Sequence, residues 1–207
     1  MASENEVVVF TDFDRTMIKQ NSPALFFFEL FRKRPKTAIR ACIKAMHMHG
    51  LGGRAFIHAV SEILPENRDA IIKRLVKKFK FNNKWILALR KLIEKYPNIK
   101  QVRLVVITRN IEQIPRMFLK ANFHVIKSFV GKKIADDVLI IANNASEEAV
   151  ISGLGFRKEQ SITKIINQSR DKGAFLKNKN TIYFGDSREY KELVKVTKLK
   201  NIVFFKV

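Results

Sequence analysis

The chain has a single cysteine, Cys42, among its 207 residues, so it closes no disulfide of its own and brings no second thiol to a shared metal. That excludes disulfide-stapled secreted scaffolds and thiolate zinc centres, and it fits a reducing compartment. Proline (5), glycine (8) and tryptophan (1) are also sparse, which leaves collagen-like and low-complexity architectures out. Acids are few beside bases: 19 Asp plus Glu face 40 Lys plus Arg, a formal charge of +21 at pH 7. Such a field disfavours cationic partners and favours acidic small molecules, nucleic acid or anionic membrane surfaces, without choosing among them. No apolar run approaches the roughly 18 residues that a membrane span needs, and the first six residues carry two acids and no basic, apolar leader. The expectation is a cytoplasmic chain. What is present is 46% apolar side chain, enough in one or two domains to bury a core by packing alone.

Residues 7–11 form a continuous β-branched and aromatic run that stops at Asp12, as a strand buried on both faces of a parallel sheet would. Helical spacing then takes over in four segments, 23–32, 36–49, 54–64 and 67–79, with Pro35, the glycines at 50, 52 and 53, and Pro65 at the breaks. The pattern further predicts a helix over 85–96, a strand over 102–107, a helix over 111–121 leading to a short strand at 123–126, and a hairpin from 138–142 and 149–151. A helix over 160–172, a strand over 181–184, one more helix and a last strand over 202–206 complete the chain. Strands alternating with helices predict an α/β, doubly wound, Rossmann-like parallel sheet. An all-helical insertion over 17–80 would form its own domain, with 1–16 and 81–207 making the core domain. The insertion holds 14 Lys plus Arg and 4 Asp plus Glu. It reads either as a solvated helical surface or as a field that draws substrate in.

Doubly wound sheets bind ligands at the carboxyl ends of their strands, so the residues that follow each apolar run carry the most information. The first run gives VVVFTDFDRT, with Asp12 and Asp14 two apart; the second gives RLVVITRN, with Thr108 and Arg109; a later one gives TIYFGDS, with Asp186 behind a glycine. Carboxylates from different strands meeting in one crevice repel each other unless a cation sits between them, and an all-oxygen set suits Mg²⁺ with waters and a substrate phosphate.

This constellation resembles the haloacid dehalogenase superfamily, whose first motif is two Asp separated by one residue with Thr two later. The position of the insertion just after that motif is similar to the phosphoserine phosphatase branch with its helical cap. The resemblance implies that Asp12 is the nucleophile that takes up the phosphoryl group and Asp14 the general acid and base. It implies Mg²⁺ held by Asp12, Asp14 and Asp186, because a carboxylate attacks a phosphate dianion poorly unless the charge is neutralised. Thr108 and Arg109 would hold phosphoryl oxygens, although a Thr at that place also commonly caps the helix that follows. Lys164, 22 residues before Asp186, would supply a fixed positive charge, with Lys158 left open as the alternative. The implied function is a Mg²⁺-dependent phosphomonoesterase acting on a small anionic phosphate ester through an aspartyl-phosphate.

Three positions depart from the family pattern. Arg15 stands where many relatives have Gly; Tyr190 stands where relatives commonly have a second Asp, with Glu189 beside it as a supporting acid; and Asn21 stands at the acid that phosphoserine phosphatases use for the substrate ammonium. The last makes an amino acid phosphate a poor substrate. Phe26, Phe27 and Phe28 cannot all face one side of a helix, so they divide between the insertion's core and its seam with the sheet, or offer a lipid-like substrate surface. His47, His49, His58 and His124 show no metal-ligand spacing. A second reading from another class is a catalytically weak protein of the same fold that binds nucleic acid or another acidic partner, but basic residues interleaved with aromatics on a sheet or groove are not evident.

Overall fold

The computed structural model describes residues 6–49, 53–131, 133–143, 180–185, 190, 191, 194 and 202–207. Five strands, β1 (Glu6–Asp12), β2 (Gln101–Ile111), β3 (Leu139–Asn143), β4 (Asn180–Gly185) and β5 (Ile202–Lys206), form one sheet in the order β3-β2-β1-β4-β5. Every pairing is parallel. Successive strand residues point to opposite faces, and Val7, Val8, Val9 and Phe10 on the central β1 are all at most 3% exposed. The continuous apolar run is therefore explained by burial on both faces.

Between β1 and β2 run α1 (Ser22–Lys33), α2 (Pro35–His49), α3 (Gly53–Ser61), α4 (Pro65–Val76) and α5 (Asn83–Lys95). Pro35 and Pro65 each open a helix, where their missing N–H costs nothing and their fixed φ already suits the first turn. Asn21 caps α1, its Oδ1 accepting from Ala24 N–H at 3.3 Å. The three phenylalanines divide as helical geometry demands: Phe26 is fully buried, Phe27 packs against Ala41 and Ala59, and Phe28 is exposed. Among the described residues no helix is long and apolar enough to cross a membrane.

One continuous core joins Val7, Val9 and Leu104 of the sheet to Phe26 and Leu30 of α1 and Ile72 and Leu75 of α4. At its centre Phe13 meets Phe118 edge-on at 5.7 Å, and Phe81 meets Phe118 at 4.9 Å while stacking on Trp85 at 6.0 Å. Such pairs add about 0.5–1.5 kcal/mol each beyond the area they bury. Phe13 itself belongs to the turn that follows β1. The two chain segments that leave and re-enter this region pair with each other: Ile18 bridges Phe81, Lys19 N–H donates to Lys80 C=O at 2.9 Å, and Asn82 N–H donates to Met17 C=O at 2.9 Å.

One sequence expectation needs correction. The strand expected at 123–126 is the third turn onward of α6 (Gln113–Val130). Ile114, Phe118, Ile126 and Val130 are buried at helical spacing, no Gly or Pro interrupts them after Pro115, and Gly131 at φ 79° ends the helix with its N–H on Lys127 C=O. Burial of one helical stripe outweighed the local β-propensity of Phe, Val and Ile. The segment 138–142, expected as half of a hairpin, is β3, a parallel strand on the edge of β2; its expected partner at 149–151 and the helix at 160–172 lie outside the described residues.

Candidate active site

Asp12 is the last residue of β1, opposite Ile107 of β2. On the other side Thr11 pairs with Phe184, so the next step of the register brings Asp12 level with Gly185. The strand order runs β1 to β3 in one direction and β4 to β5 in the other, which makes the carboxyl end of β1 the topological switch point where open α/β sheets bind ligands.

From there the chain makes a single wide turn over Phe13–Met17, closed by Ile18 N–H donating to Phe13 C=O at 3.0 Å. Phe13 and Met17 are fully buried and anchor it. Arg15 sits at φ 60° and ψ −4°, the left-handed region that a residue with a Cβ enters at a cost of about 1–2 kcal/mol and glycine enters freely. That conformation accounts physically for the glycine common at this place. The backbone around Arg15 is held on both sides, its N–H donating to Gln20 C=O at 3.1 Å and its C=O accepting from Asn82 Nδ2 at 3.2 Å.

Asp14 is oriented from two directions. Its Oδ1 accepts from both the backbone N–H and the hydroxyl of Ser22, each at 2.6 Å, and its Oδ2 accepts from Asn110 Nδ2 at 3.1 Å. Asn110 Nδ2 also donates to Ser22 Oγ, and Asn110 Oδ1 accepts from Ile111 N–H at 2.8 Å. Ser22 is the first residue of α1, so the carboxylate faces the positive end of that helix. Ser22 and Asn110 are at most 2% exposed, and a buried polar network of this kind fixes geometry because each unmade bond costs about 1–3 kcal/mol.

The sequence reading passed over both residues. The signal available in the sequence is the place of Asn110 two positions after Thr108, behind an apolar run.

Thr108 is buried within β2, and its Oγ1 accepts from Asn110 N–H at 3.2 Å. It does not cap α6, which begins five residues later at Gln113. The pairing of β2 with β3 shifts register between Ile107 and Ile111, so the stretch carrying Thr108, Arg109 and Asn110 departs from the regular ladder. Arg109 lies in β2 and its side chain is outside the described set. Asp186, Glu189, Lys164 and Lys158 also lie outside the described residues. Gly185, just before Asp186, has no room for a side chain, since a Cβ would come within 2.5 Å of Tyr183 Oη. Tyr190 stacks on Phe204 at 4.8 Å and on Tyr183 at 6.4 Å, which gives the departure at this position a packing role.

On α1 beyond Ser22, Glu29 is buried and holds Lys78 and, at 2.9 Å, Arg32. The hydrogen bonds from Lys78 and then Arg32 outweigh its desolvation and lower its carboxyl from 4.5 to about 2. This pair ties α1 to the segment that returns from α4. Among the described residues no group of three or more His, Cys, Asp or Glu gathers as a metal centre.

A parallel sheet with two acidic residues at its switch point defines the α/β class whose ligands bind at the carboxyl ends of the strands. The profile of haloacid dehalogenase-like hydrolases matches residues 9–189, and the chain belongs to that family. No curated protein matches it. Among solved structures it is similar to a HAD family hydrolase from Salmonella enterica serovar Typhi, with TM-score 0.51, 14% identity, and coverage of 94% of this chain and 61% of that one. This chain therefore spans less than two thirds of that hydrolase. It is also similar to a protein of unknown function from Bordetella pertussis Tohama I, with TM-score 0.54, 11% identity, and coverage of 96% and 98%. A phosphoserine phosphatase with a phospho-aspartyl intermediate analogue is similar at TM-score 0.49 and 14% identity, covering 95% and 92%. At these identities the likeness concerns the fold.

Proposed function

We propose that the chain is a Mg²⁺-dependent phosphatase that hydrolyses a small anionic phosphate ester through an aspartyl-phosphate on Asp12. The observation that supports this most is the Asp12 and Asp14 pair at the switch point, with Asp14 clamped by Ser22 and Asn110. In the first half-reaction an Asp12 oxygen attacks phosphorus, the ester bond breaks, and the leaving alkoxide takes a proton from Asp14. In the second, Asp14 takes a proton from the water that attacks the acyl phosphate, releasing phosphate and restoring the Asp12 carboxylate and the protonated Asp14. The hydrogen bonds from Ser22 and Asn110 fix the direction in which the Asp14 carboxyl presents itself.

The donor set suits a hard cation, being carboxylate oxygens with no thiol or imidazole. Asp12 and Asp14, joined by Asp186 next to Gly185, are the proposed holders, with Asp14 the weaker because its oxygens already accept from Ser22 and Asn110. Mg²⁺ when bound neutralises negative charge on the transferring phosphoryl group. Thr108, Arg109 and Lys164 are proposed to hold phosphoryl oxygens, and Glu189 to support the metal site. The paired segments around Ile18 and Phe81 are the proposed boundary between a core domain of 1–16 and 81–207 and a basic cap domain of 17–80, in a cytoplasmic protein.

The experiment is hydrolysis of p-nitrophenyl phosphate with Mg²⁺ and with chelator, in the parent and in Asp12→Asn. Activity should require the metal and fall by at least about a thousandfold in the variant. Full activity in Asp12→Asn overturns the nucleophile assignment. A parent that is inactive with every phosphate ester and binds oligonucleotides returns the binding-protein reading.

A further inference from the structure

Helix α2 presents three distinct stripes. Ala41 is buried with Ala59 of α3 and Phe27 of α1. Ile39, Ile43 and Met46, at i, i+4 and i+7, form a second stripe that remains 50%, 63% and 49% exposed. Lys36, Arg40 and Lys44 form a third, beside the second and exposed. A shallow, open depression of about 640 Å³ is lined by residues of both stripes, Lys36, Ile39, Arg40, Ile43 and Lys44 with His47, all on α2. The neighbouring α1, packed on α2, leaves Phe28 and Phe31 exposed as well. Large apolar side chains in a row along one helix are not accounted for by the core of the described residues.

The charge around this face is one-sided. From Ser22 to His49 the single acid is Glu29, which is buried and held by Lys78 and Arg32. Lys44 pairs with Glu62 at 2.7 Å. Lys33, Arg34, Lys36 and Arg40 are exposed and make no ion pair among the described residues.

We propose that the α1–α2 face is a peripheral docking surface for an anionic phospholipid bilayer. Ile39, Ile43 and Met46 enter the boundary between headgroups and acyl chains, and Lys36 and Arg40 lie against lipid phosphates. Interfacial helices combine these two features, an apolar stripe that buries and a basic flank that is attracted to anionic headgroups. A second copy of the chain fits the face poorly, because a two-fold contact would set the same unpaired cations against each other. Nucleic acid fits the α2 stripe less well, since Ile39, Ile43 and Met46 offer no π-face on which bases could stack. The proposal does not rest on the phosphatase reading.

The test is co-sedimentation of the full chain with phosphatidylcholine vesicles, with and without about one third phosphatidylglycerol. The parent should bind the anionic vesicles and leave the neutral ones. Ile43→Ser combined with Met46→Ser should weaken partitioning by about a hundredfold, from the apolar area no longer buried. Lys36→Gln combined with Arg40→Gln should weaken it by about tenfold or more. Lys84→Gln combined with Lys91→Gln, exposed on α5, should change it by less than about twofold if the face and not the net charge is responsible. Unchanged melting temperatures show that the variants fold. Failure to bind anionic vesicles, or binding undiminished by the serine pair, overturns the proposal. So does a concentration-dependent dimer, or oligonucleotide binding, that the serine pair abolishes while vesicles are not bound.

Discussion

Replacing Asn110 with Asp changes one amide into a carboxylate of nearly the same shape, in the one place where the structure sets it against Asp14. The Nδ2 to Oδ2 separation is 3.1 Å. Two unit charges at that distance repel by about 5 kcal/mol at an effective dielectric of 20. Protonation limits the cost. Keeping a proton at neutral pH on a carboxyl whose ordinary value is near 3.9 costs about 1.4 kcal/mol per pH unit, or about 4 kcal/mol in all. The folded variant therefore binds more protons than the unfolded chain between pH about 4 and 7, and its stability falls as pH rises through that window. In a domain of this size the deficit corresponds to about 10 °C in melting temperature at neutral pH, shrinking to a small residue at pH 4. Asn110→Ala is the control, since it removes the same hydrogen bonds without adding a titrating group, and its deficit should not depend on pH in this window. Circular dichroism melts of the three proteins at both pH values decide the matter. A deficit for Asn110→Asp equal at pH 4 and 7 refutes the contact and, with it, the orientation of Asp14.

Arg15→Gly should be about 1 kcal/mol more stable than Arg15→Ala, about 3 °C in a melt, because glycine alone relieves the left-handed backbone at φ 60°; equal stabilities would refute the strain. Glu29, held at about 2 against an ordinary 4.5, contributes stability that is complete above about 4.5 and lost as pH falls toward 2, so the melting-temperature gap between the parent and Glu29→Gln should close across that range. Gly185→Ala should cost about 1–3 kcal/mol in chemical denaturation, since a Cβ there meets the Tyr183 ring, and an undiminished stability would show that the ring moves aside freely.

The alternation of apolar runs with helical segments was sufficient to predict the parallel sheet, because a strand buried on both faces must be apolar at consecutive positions and a helix between layers must be apolar at every third or fourth. Asp12 and Asp14 were legible for the same reason: a carboxylate that ends such a run abruptly marks where the strand leaves the core. The region at 123–126 was misread because Phe, Val and Ile serve a strand and a helix stripe alike over four residues, and only the partners on the sheet selected the helix. Asn21 and Arg15 were noted as departures, but their conformations, a helix cap and a left-handed turn, depend on φ and ψ that no composition reveals. Residue type, spacing and charge by themselves determined the layer architecture, the acid pair and the basic insertion, since these follow from the periodicity of burial. Only the tertiary structure brought Ser22 and Asn110, 88 residues apart, onto the Asp14 carboxylate and left Ile39, Ile43 and Met46 in water, because both depend on which surfaces the fold places against each other.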